Sequence, residues 1–137
     1  MAYIDLKDLT AIKKKLTAFD QQREQIIAAA RQIIRDAKHA IVCIHRNDFT
    51  EAEQCLARAS KVLQPLQKMH PLDLHVVGAY HECVQEYVEA MSFLHFVQKE
   101  KLLPFVSFKG VPEEDYLLGL CDLTGELARR AVLLVIA

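Results

Sequence analysis

Apolar residues recur at alternating spacings of three and four along the first third of the chain. The series begins at Leu9 and ends at Ile44, and Arg23 is its one interruption. Such spacing is typical of a helix with a single apolar stripe. It predicts one long helix over residues 5–46, about 60 Å in length at a rise of roughly 1.5 Å per residue. Because one small domain cannot cover such a helix, the pattern also predicts packing against another subunit.

Three more helices are predicted in the rest of the chain. Asp48, with Glu51 three residues later, is an N-cap signature for a second helix that runs to about Lys68, where Met-His-Pro follows. A third helix over about 72–102 is apolar on most of its faces, which is typical of a central helix. Pro112 and the acidic residues after it favour the start of a fourth helix.

Length and composition are those of one globular domain, with 137 residues of which 52% are apolar and 26% charged. We therefore expect residues 1–137 to form a single all-α domain, an antiparallel helical bundle with one long N-terminal helix. No apolar run approaches the ~20 residues of a membrane span, and the first residues lack the regions of a signal peptide. The cysteines show no C-x-x-C spacing, which is typical of reduced, mostly buried thiols. These features predict a cytoplasmic protein with no membrane partner.

Two pairs of carboxylates stand out in the third and fourth helices. Glu86 and Glu89 are three residues apart, Asp122 and Glu126 are four apart, and residues at these spacings share one face of a helix. The first pair lies on a face that continues through apolar residues, where a carboxylate is costly unless it is paired or metal-bound. Two carboxylates roughly 5 Å apart repel by about 3 kcal/mol at an effective dielectric near ~20. The pattern therefore predicts a cation, and hard oxygen ligands favour Mg²⁺, with Mn²⁺ as an alternative.

Positive charge is concentrated in the first helix. Residues 7–46 hold nine Lys or Arg and four Asp or Glu, whereas the rest of the chain holds eight and fourteen. A basic arm beside an acidic body suits a polyanion held over a metal site, and a solvated helix face is the alternative. We expect contacts to phosphates rather than sequence readout of bases. The candidates near one end of the helix are Arg31, Arg35, Lys38, His45 and Arg46.

Three stretches of the chain resemble the translin family and, within it, the translin-associated factor X branch. They are Ile44-His45-Arg46 after the basic helix, residues 85–96 around the first carboxylate pair, and residues 115–127 around the second. The third stretch is the most specific, running from Asp-Tyr-Leu-Leu-Gly to Asp-Leu-Thr-Gly-Glu-Leu. The resemblance covers essentially the whole chain but only about the front two-thirds of the family domain, in which further helices follow the Gly-Glu-Leu segment.

This resemblance implies a function as well as a fold. It implies an all-α bundle that assembles into a hollow, usually octameric particle, and a Mg²⁺-dependent endoribonuclease that cleaves single-stranded RNA. Matched by position, Glu86, Glu89, Asp122 and Glu126 form the acidic catalytic site, with Glu89 and Glu126 as the direct metal ligands. The other two carboxylates would bind the metal through water or orient the attacking water. The same match assigns the basic candidates of the first helix to RNA, and single-stranded DNA is a second possible partner.

Two other functions stay open. One is a non-catalytic subunit that binds single-stranded RNA or DNA in a translin-type complex. The other, less favoured, is an all-α nucleotide pyrophosphatase, whose usual second pair is Glu-x-x-Asp, whereas Asp122 and Glu126 form Asp-x-x-x-Glu. A purely structural interpretation leaves the first carboxylate pair in solvent and pairs the second with Arg129 and Arg130.

Two glycines and two histidines lie near the carboxylates. Gly119 and Gly125 each cost about 1 kcal/mol against alanine in a helix, which predicts close helix packing or the approach of a ligand. His81 and His95 lie off the carboxylate face, and the chain contains no Glu-x-x-His of the di-iron bundles. We therefore expect both histidines to serve packing or the surface.

Overall fold

Helices account for most of the computed structural model, which describes residues 5–69 and 77–136. The prediction of an all-α protein with one long first helix is confirmed, and the described residues contain no strand. None of the described helices is both long enough and apolar enough to cross a membrane. The helices are α1 (Leu6–His45), α2 (Phe49–Gln67), α3 (Gly78–Lys99) and α4 (Glu113–Ile136), and a short 3-10 turn spans Phe105–Ser107.

The helix ends follow local sequence chemistry. The Asp48 side chain accepts a hydrogen bond from the Glu51 backbone N–H at 3.2 Å, which confirms the predicted N-cap of α2. α3 ends at Lys99, before the predicted residue 102, because Glu100 adopts a left-handed conformation with φ of 56° that stops the helix. The predicted start of α3 at residue 72 and the His70-Pro71 break lie outside the described residues.

The core lies between α1, α2 and α3. The apolar stripe of α1 is buried from Ile26 to Ile44, as its spacing predicts. Before Ile26 the same stripe is exposed, from Leu6 to Phe19, so this part of α1 extends beyond the bundle. α3 packs on all three other helices, which confirms its central position. Cys43, Cys55 and Cys83 are buried free thiols and Cys121 is exposed, close to the expectation from the sequence.

The direction of the helices positions the acidic residues. α2 runs back along α1 and α3, as expected for an antiparallel bundle, and Gln98 near the end of α3 bonds Glu53 near the start of α2. The segment after α3 then returns along the bundle, where the Gln67 side chain bonds the Lys109 carbonyl. α4 therefore runs in the same direction as α3, which places residues 86–89 beside residues 122–126.

The two glycines of α4 differ in their surroundings. A Cβ on Gly119 would lie 2.8 Å from the Gln85 carbonyl oxygen and equally close to the Val88 side chain, so only glycine lets α4 approach α3 this closely. The prediction of close packing is therefore confirmed at Gly119. It is wrong at Gly125, where no described atom lies within 4 Å of an added Cβ because the residue faces away from α3.

Candidate metal and nucleic-acid site

The four predicted carboxylates line one open cavity of about 540 Å³ between α3 and α4, closed on one side by α1. The tertiary structure thus brings together two pairs that are distant in the sequence. Their assignment as a metal site stays a prediction. The cavity is lined by Lys38, Ile41, Val42, Glu86, Glu89, Asp122, Glu126 and Arg129.

Glu89 is the most perturbed of the four carboxylates. Its side chain is buried, with 7% of the residue exposed. Burial, together with the negative charges of Glu86, Asp122 and Glu126, raises the pKa of Glu89 from 4.5 to about 7, and the nearby Lys38 only partly opposes this. The site therefore holds more negative charge than its own basic residues neutralise, which is the condition under which a cation binds.

Glu86 has a cationic partner from α1. The Lys38 Nζ lies 3.2 Å from Glu86 Oε1, with the lysine largely exposed and the glutamate half-buried. The hydrogen bond and the charge of Glu86 raise the pKa of Lys38 above its usual 10.5. Lys38, predicted as an RNA contact, therefore stands at the rim of the acidic cavity rather than apart from it.

Glu126 is held from two sides, whereas Asp122 is exposed. The His45 Nε2 lies 2.5 Å from Glu126 Oε2, and the Arg129 Nη1 lies 3.8 Å from the same oxygen. The His45 side chain is only 6% exposed. His45 is one of the predicted RNA contacts, and in the structure its side chain lies against Glu126. Arg130 was a suggested partner of the carboxylates and instead donates to the Ile44 carbonyl.

The other predicted RNA contacts form a strip on the surface of α1. Arg31 and Arg35 are exposed and share one face of α1 with Lys38 at spacings of four and three, and Arg46, also exposed, follows directly after α1. Arg31 lines a separate cavity near the start of α3, together with Arg23. Of these basic candidates, Lys38 is the one that lines the acidic cavity.

The donor set of the cavity suits a magnesium ion that keeps several water ligands. The four carboxylates supply hard oxygen donors. One of them, Glu89, is buried among the other three and has a raised pKa. The carboxylate oxygens are spread too widely for three of them to lie within 4.8 Å of one another. Within the described part of the chain, only His39, Glu51 and Cys55 form such a tight group, and the Arg58 guanidinium bonds to the latter two.

The structure contains a second polar cluster, formed by Asp115, His81 and Gln85, which the sequence did not predict. Asp115, in the first turn of α4, is 2% exposed and bonds to His81 Nδ1 at 2.7 Å and to Gln85 Nε2 at 2.8 Å. His81 thus ties α3 to α4, which agrees with the packing role expected for it. His95 bonds the Lys101 carbonyl at the end of α3. The acidic start of α4 gave no sign that Asp115 is buried, because its partners lie 34 and 30 residues earlier in the chain.

The fold and the cavity define an all-α protein with a carboxylate site between two helices, and comparison with known proteins identifies the family. Residues 21–137 match the model of the Translin family. The chain belongs to the translin family, which confirms the resemblance seen in its three sequence stretches.

Named relatives agree with this assignment. Translin-associated protein X of Mus musculus is 28% identical over 89% of this chain and 56% of its own length. The homolog in Schizosaccharomyces pombe is 30% identical over 90% of this chain and 60% of its own length. An uncharacterized protein of Methanocaldococcus jannaschii is 30% identical over 94% of this chain and 58% of its own. The chain thus spans little more than half the length of the curated relatives it matches.

Two solved structures share the fold. AfC3PO superimposes with a TM-score of 0.84 at 26% identity, covering 94% of this chain and 67% of that one. Apo-NeC3PO also gives a TM-score of 0.84, at 18% identity, covering 98% of this chain and 72% of that one. At this identity the second likeness concerns the fold alone.

Proposed function

We propose that this protein is a Mg²⁺-dependent endoribonuclease that cleaves single-stranded RNA at the acidic cavity between α3 and α4. The observation that carries the proposal is the convergence of four carboxylates around Glu89, whose pKa is raised to about 7 by burial and by the other three. Membership of the translin family and relatives named Translin-associated protein X support it. They also favour it over a nucleotide pyrophosphatase, an alternative that rested on paired carboxylates alone.

The four carboxylates of the cavity would have different roles in such a reaction. Glu89 and Glu126 would hold the ion, since the first is buried at the base of the cavity and the second is fixed by hydrogen bonding. A Mg²⁺ ion bound there supplies charge neutralisation on a phosphate and acidifies water. Glu86 and Asp122 would complete the acidic cluster and would orient the attacking water and accept its proton, Glu86 with the oxygen that does not face Lys38.

Basic side chains at the rim would hold the substrate. Lys38 and Arg129 both line the cavity and are largely exposed, so each would contact a phosphodiester there by sharing or leaving its present carboxylate partner, Glu86 or Glu126. Arg35 lies on the same face of α1 as Lys38, and Arg46 follows directly after that helix. Such contacts are to the phosphate backbone, so they carry no base preference, and single-stranded DNA would bind by the same contacts.

The test is cleavage of single-stranded RNA by the wild type and by Glu126→Gln at equal RNA occupancy. We expect Mg²⁺-dependent cleavage by the wild type and its loss in the variant, with RNA affinity retained because other residues bind the strand. Glu114→Gln is the matched control, since Glu114 is exposed on the same helix outside the cavity. Equal, metal-independent rates in wild type and Glu126→Gln would refute the proposal.

A non-catalytic nucleic-acid-binding subunit is the second candidate. The observation in its favour is that Lys38 pairs with Glu86 and His45 pairs with Glu126, so two of the four carboxylates already have partners in the protein. In that case the purified chain binds single-stranded RNA or DNA but does not cleave it with Mg²⁺ or Mn²⁺. Measuring RNA cleavage again after adding a translin-family partner chain then distinguishes the two remaining cases. Cleavage indicates a subunit that is active only in a complex, and no cleavage indicates a subunit without a catalytic role.

We further propose that the chain forms a homo-oligomer, for which the resemblance to the family implies an octamer. The support is apolar surface at both ends of the described chain. Leu6, Leu16 and the other stripe residues before Ile26 are exposed, as is the segment from Val132 to Ile136. Monomers rarely leave such patches in water. Light scattering at low micromolar concentration is expected to give a mass well above 15.6 kDa, and a stable monomer would refute the proposal.

A further inference from the structure

His45 is the last residue of α1, and its side chain lies between α3 and α4. One face of the ring packs on Phe93, with ring centroids 4.9 Å apart. The Nε2 atom lies 2.5 Å from Glu126 Oε2, while Nδ1 is buried and has no hydrogen-bond partner among the described residues. The ring is therefore held by one polar contact and one aromatic contact, and it is too deeply placed to serve as a surface contact for RNA.

The geometry determines which oxygen of Glu126 is occupied. Because Nε2 of His45 faces the Glu126 carboxylate and Nδ1 faces no acceptor in the described part of the chain, we assign the proton to Nε2, which then donates a hydrogen bond to Oε2. Arg129 approaches the same oxygen at 3.8 Å. The His45 ring and the Arg129 guanidinium therefore both approach Oε2 of Glu126. This leaves Oε1 of Glu126 as the oxygen for a ligand in the cavity.

The backbone that carries His45 is itself tied to α4. Arg130 donates from Nη1 to the Ile44 carbonyl at 2.9 Å and from Nη2 to Asn47 Oδ1 at 2.8 Å. Arg130 lies one helical turn after Glu126 on α4, so these bonds hold the end of α1 against α4 close to Glu126. The Arg130 side chain thus ties the backbone next to His45 to α4, in addition to the contact between His45 and Glu126.

We propose that His45 is a positioning residue for Glu126, holding Oε2 so that Oε1 stays directed to a divalent cation in the cavity. The inference rests on the proposed function of the cavity as a metal site. Hydrogen bonds to a ligating carboxylate restrict its orientation, and losing such a partner typically weakens metal affinity by roughly 10- to 100-fold. His45 acts through Glu126 and does not itself contact substrate or metal.

The test uses the affinity of the protein for Mn²⁺ in the absence of RNA, measured by electron paramagnetic resonance of the free ion. His45→Phe keeps the ring and its packing on Phe93 but removes the donor, so we expect the Mn²⁺ dissociation constant to rise about 10-fold or more. His45→Gln restores an N–H donor and should recover most of the affinity. RNA affinity, measured by fluorescence anisotropy without divalent metal, is expected to stay unchanged in both variants.

A matched control comes from the same helix. His39 is exposed and belongs to the separate group with Glu51 and Cys55. His39→Gln should leave Mn²⁺ affinity at the wild-type value, which also excludes that group as the source of the signal. Thermal melting of each variant establishes that it is folded, and His45→Leu, a smaller side chain without a donor, replaces His45→Phe if the latter does not melt cooperatively.

Three outcomes count against the inference in different ways. Unchanged Mn²⁺ affinity in a folded His45→Phe protein overturns the positioning role but leaves the metal site standing. A fall in RNA affinity with unchanged Mn²⁺ affinity overturns it in favour of an RNA contact. Failure of the folded wild type to bind Mn²⁺ at all overturns the proposed metal function, and the positioning role with it.

Discussion

Replacing Glu89 with glutamine is expected to stabilise the metal-free protein at pH 8. The carboxyl is buried among three others, and its pKa is raised from 4.5 to about 7. That difference corresponds to about 3 kcal/mol, at ~1.4 kcal/mol per pH unit. It is the extra free energy needed to ionise Glu89 in the folded protein compared with the unfolded chain. Glutamine carries no charge, so the variant avoids this cost at a pH where the wild type is ionised.

The expected pH dependence follows from the sign of the pKa change. The folded protein holds the Glu89 proton up to about pH 7, whereas the unfolded chain releases it near its ordinary value of 4.5. The contribution of the protonated group to stability is therefore present below about pH 4.5 and is lost as the pH rises through about 7. Wild type and variant should be similar at pH 5 and differ most at pH 8.

Thermal unfolding in a metal chelator, at pH 5 and pH 8, measures this effect. A gain of about 1–3 kcal/mol would raise Tm by about 3–10 °C for a chain of this size. Mg²⁺ should then stabilise the wild type at pH 8 and have little effect on the variant, because ligands stabilise only the state that binds them. Glu82→Gln on the same helix is the control, since Glu82 is exposed outside the acidic cavity. A variant that melts below the wild type at pH 8, or a difference independent of pH, would refute the reasoning.

Three further predictions concern RNA binding and the packing of α4. Replacing Arg35, Lys38 and Arg46 together with alanine should weaken single-stranded RNA binding and flatten its salt dependence, measured by anisotropy across a salt series, because fewer counterions are released. Gly119→Ala should destabilise the fold by about 1–3 kcal/mol in chemical denaturation, because the new Cβ meets α3 backbone at 2.8 Å. Asp115→Leu should cost a similar ~1–3 kcal/mol, because two side chains of α3 lose their buried acceptor.

Each of these has a result that would contradict it. An unchanged affinity and salt slope in the triple variant would remove the basic strip from the binding surface. Wild-type denaturation midpoints in Gly119→Ala would mean that α4 is free to move away from α3. A neutral effect of Asp115→Leu would mean that its hydrogen bonds are replaced by water, and Glu113→Leu, at an exposed position of the same turn, is the matched control.

The sequence by itself determined the helices and the identity of the acidic residues. The period of the apolar stripe predicted α1 almost to the residue, and Asp48 with Glu51 marked the start of α2, because helix periodicity and capping are local properties. The paired spacing placed each set of carboxylates on one helix face for the same reason. The resemblance to the translin family rested on these same local motifs, and it is confirmed.

Only the tertiary structure decided how these elements meet. The direction of α4 along α3 depends on the returning segment before it, and that direction sets Glu89 beside Glu126. The burial of His45 behind Glu126 and of Asp115 against His81 arises from contacts 81 and 34 residues apart in the chain. Local spacing carries no information about such pairs, because an identical histidine at a helix end is exposed or buried according to what packs over it. For this reason the sequence grouped His45 with the RNA contacts, and only the fold showed its side chain packed against Glu126.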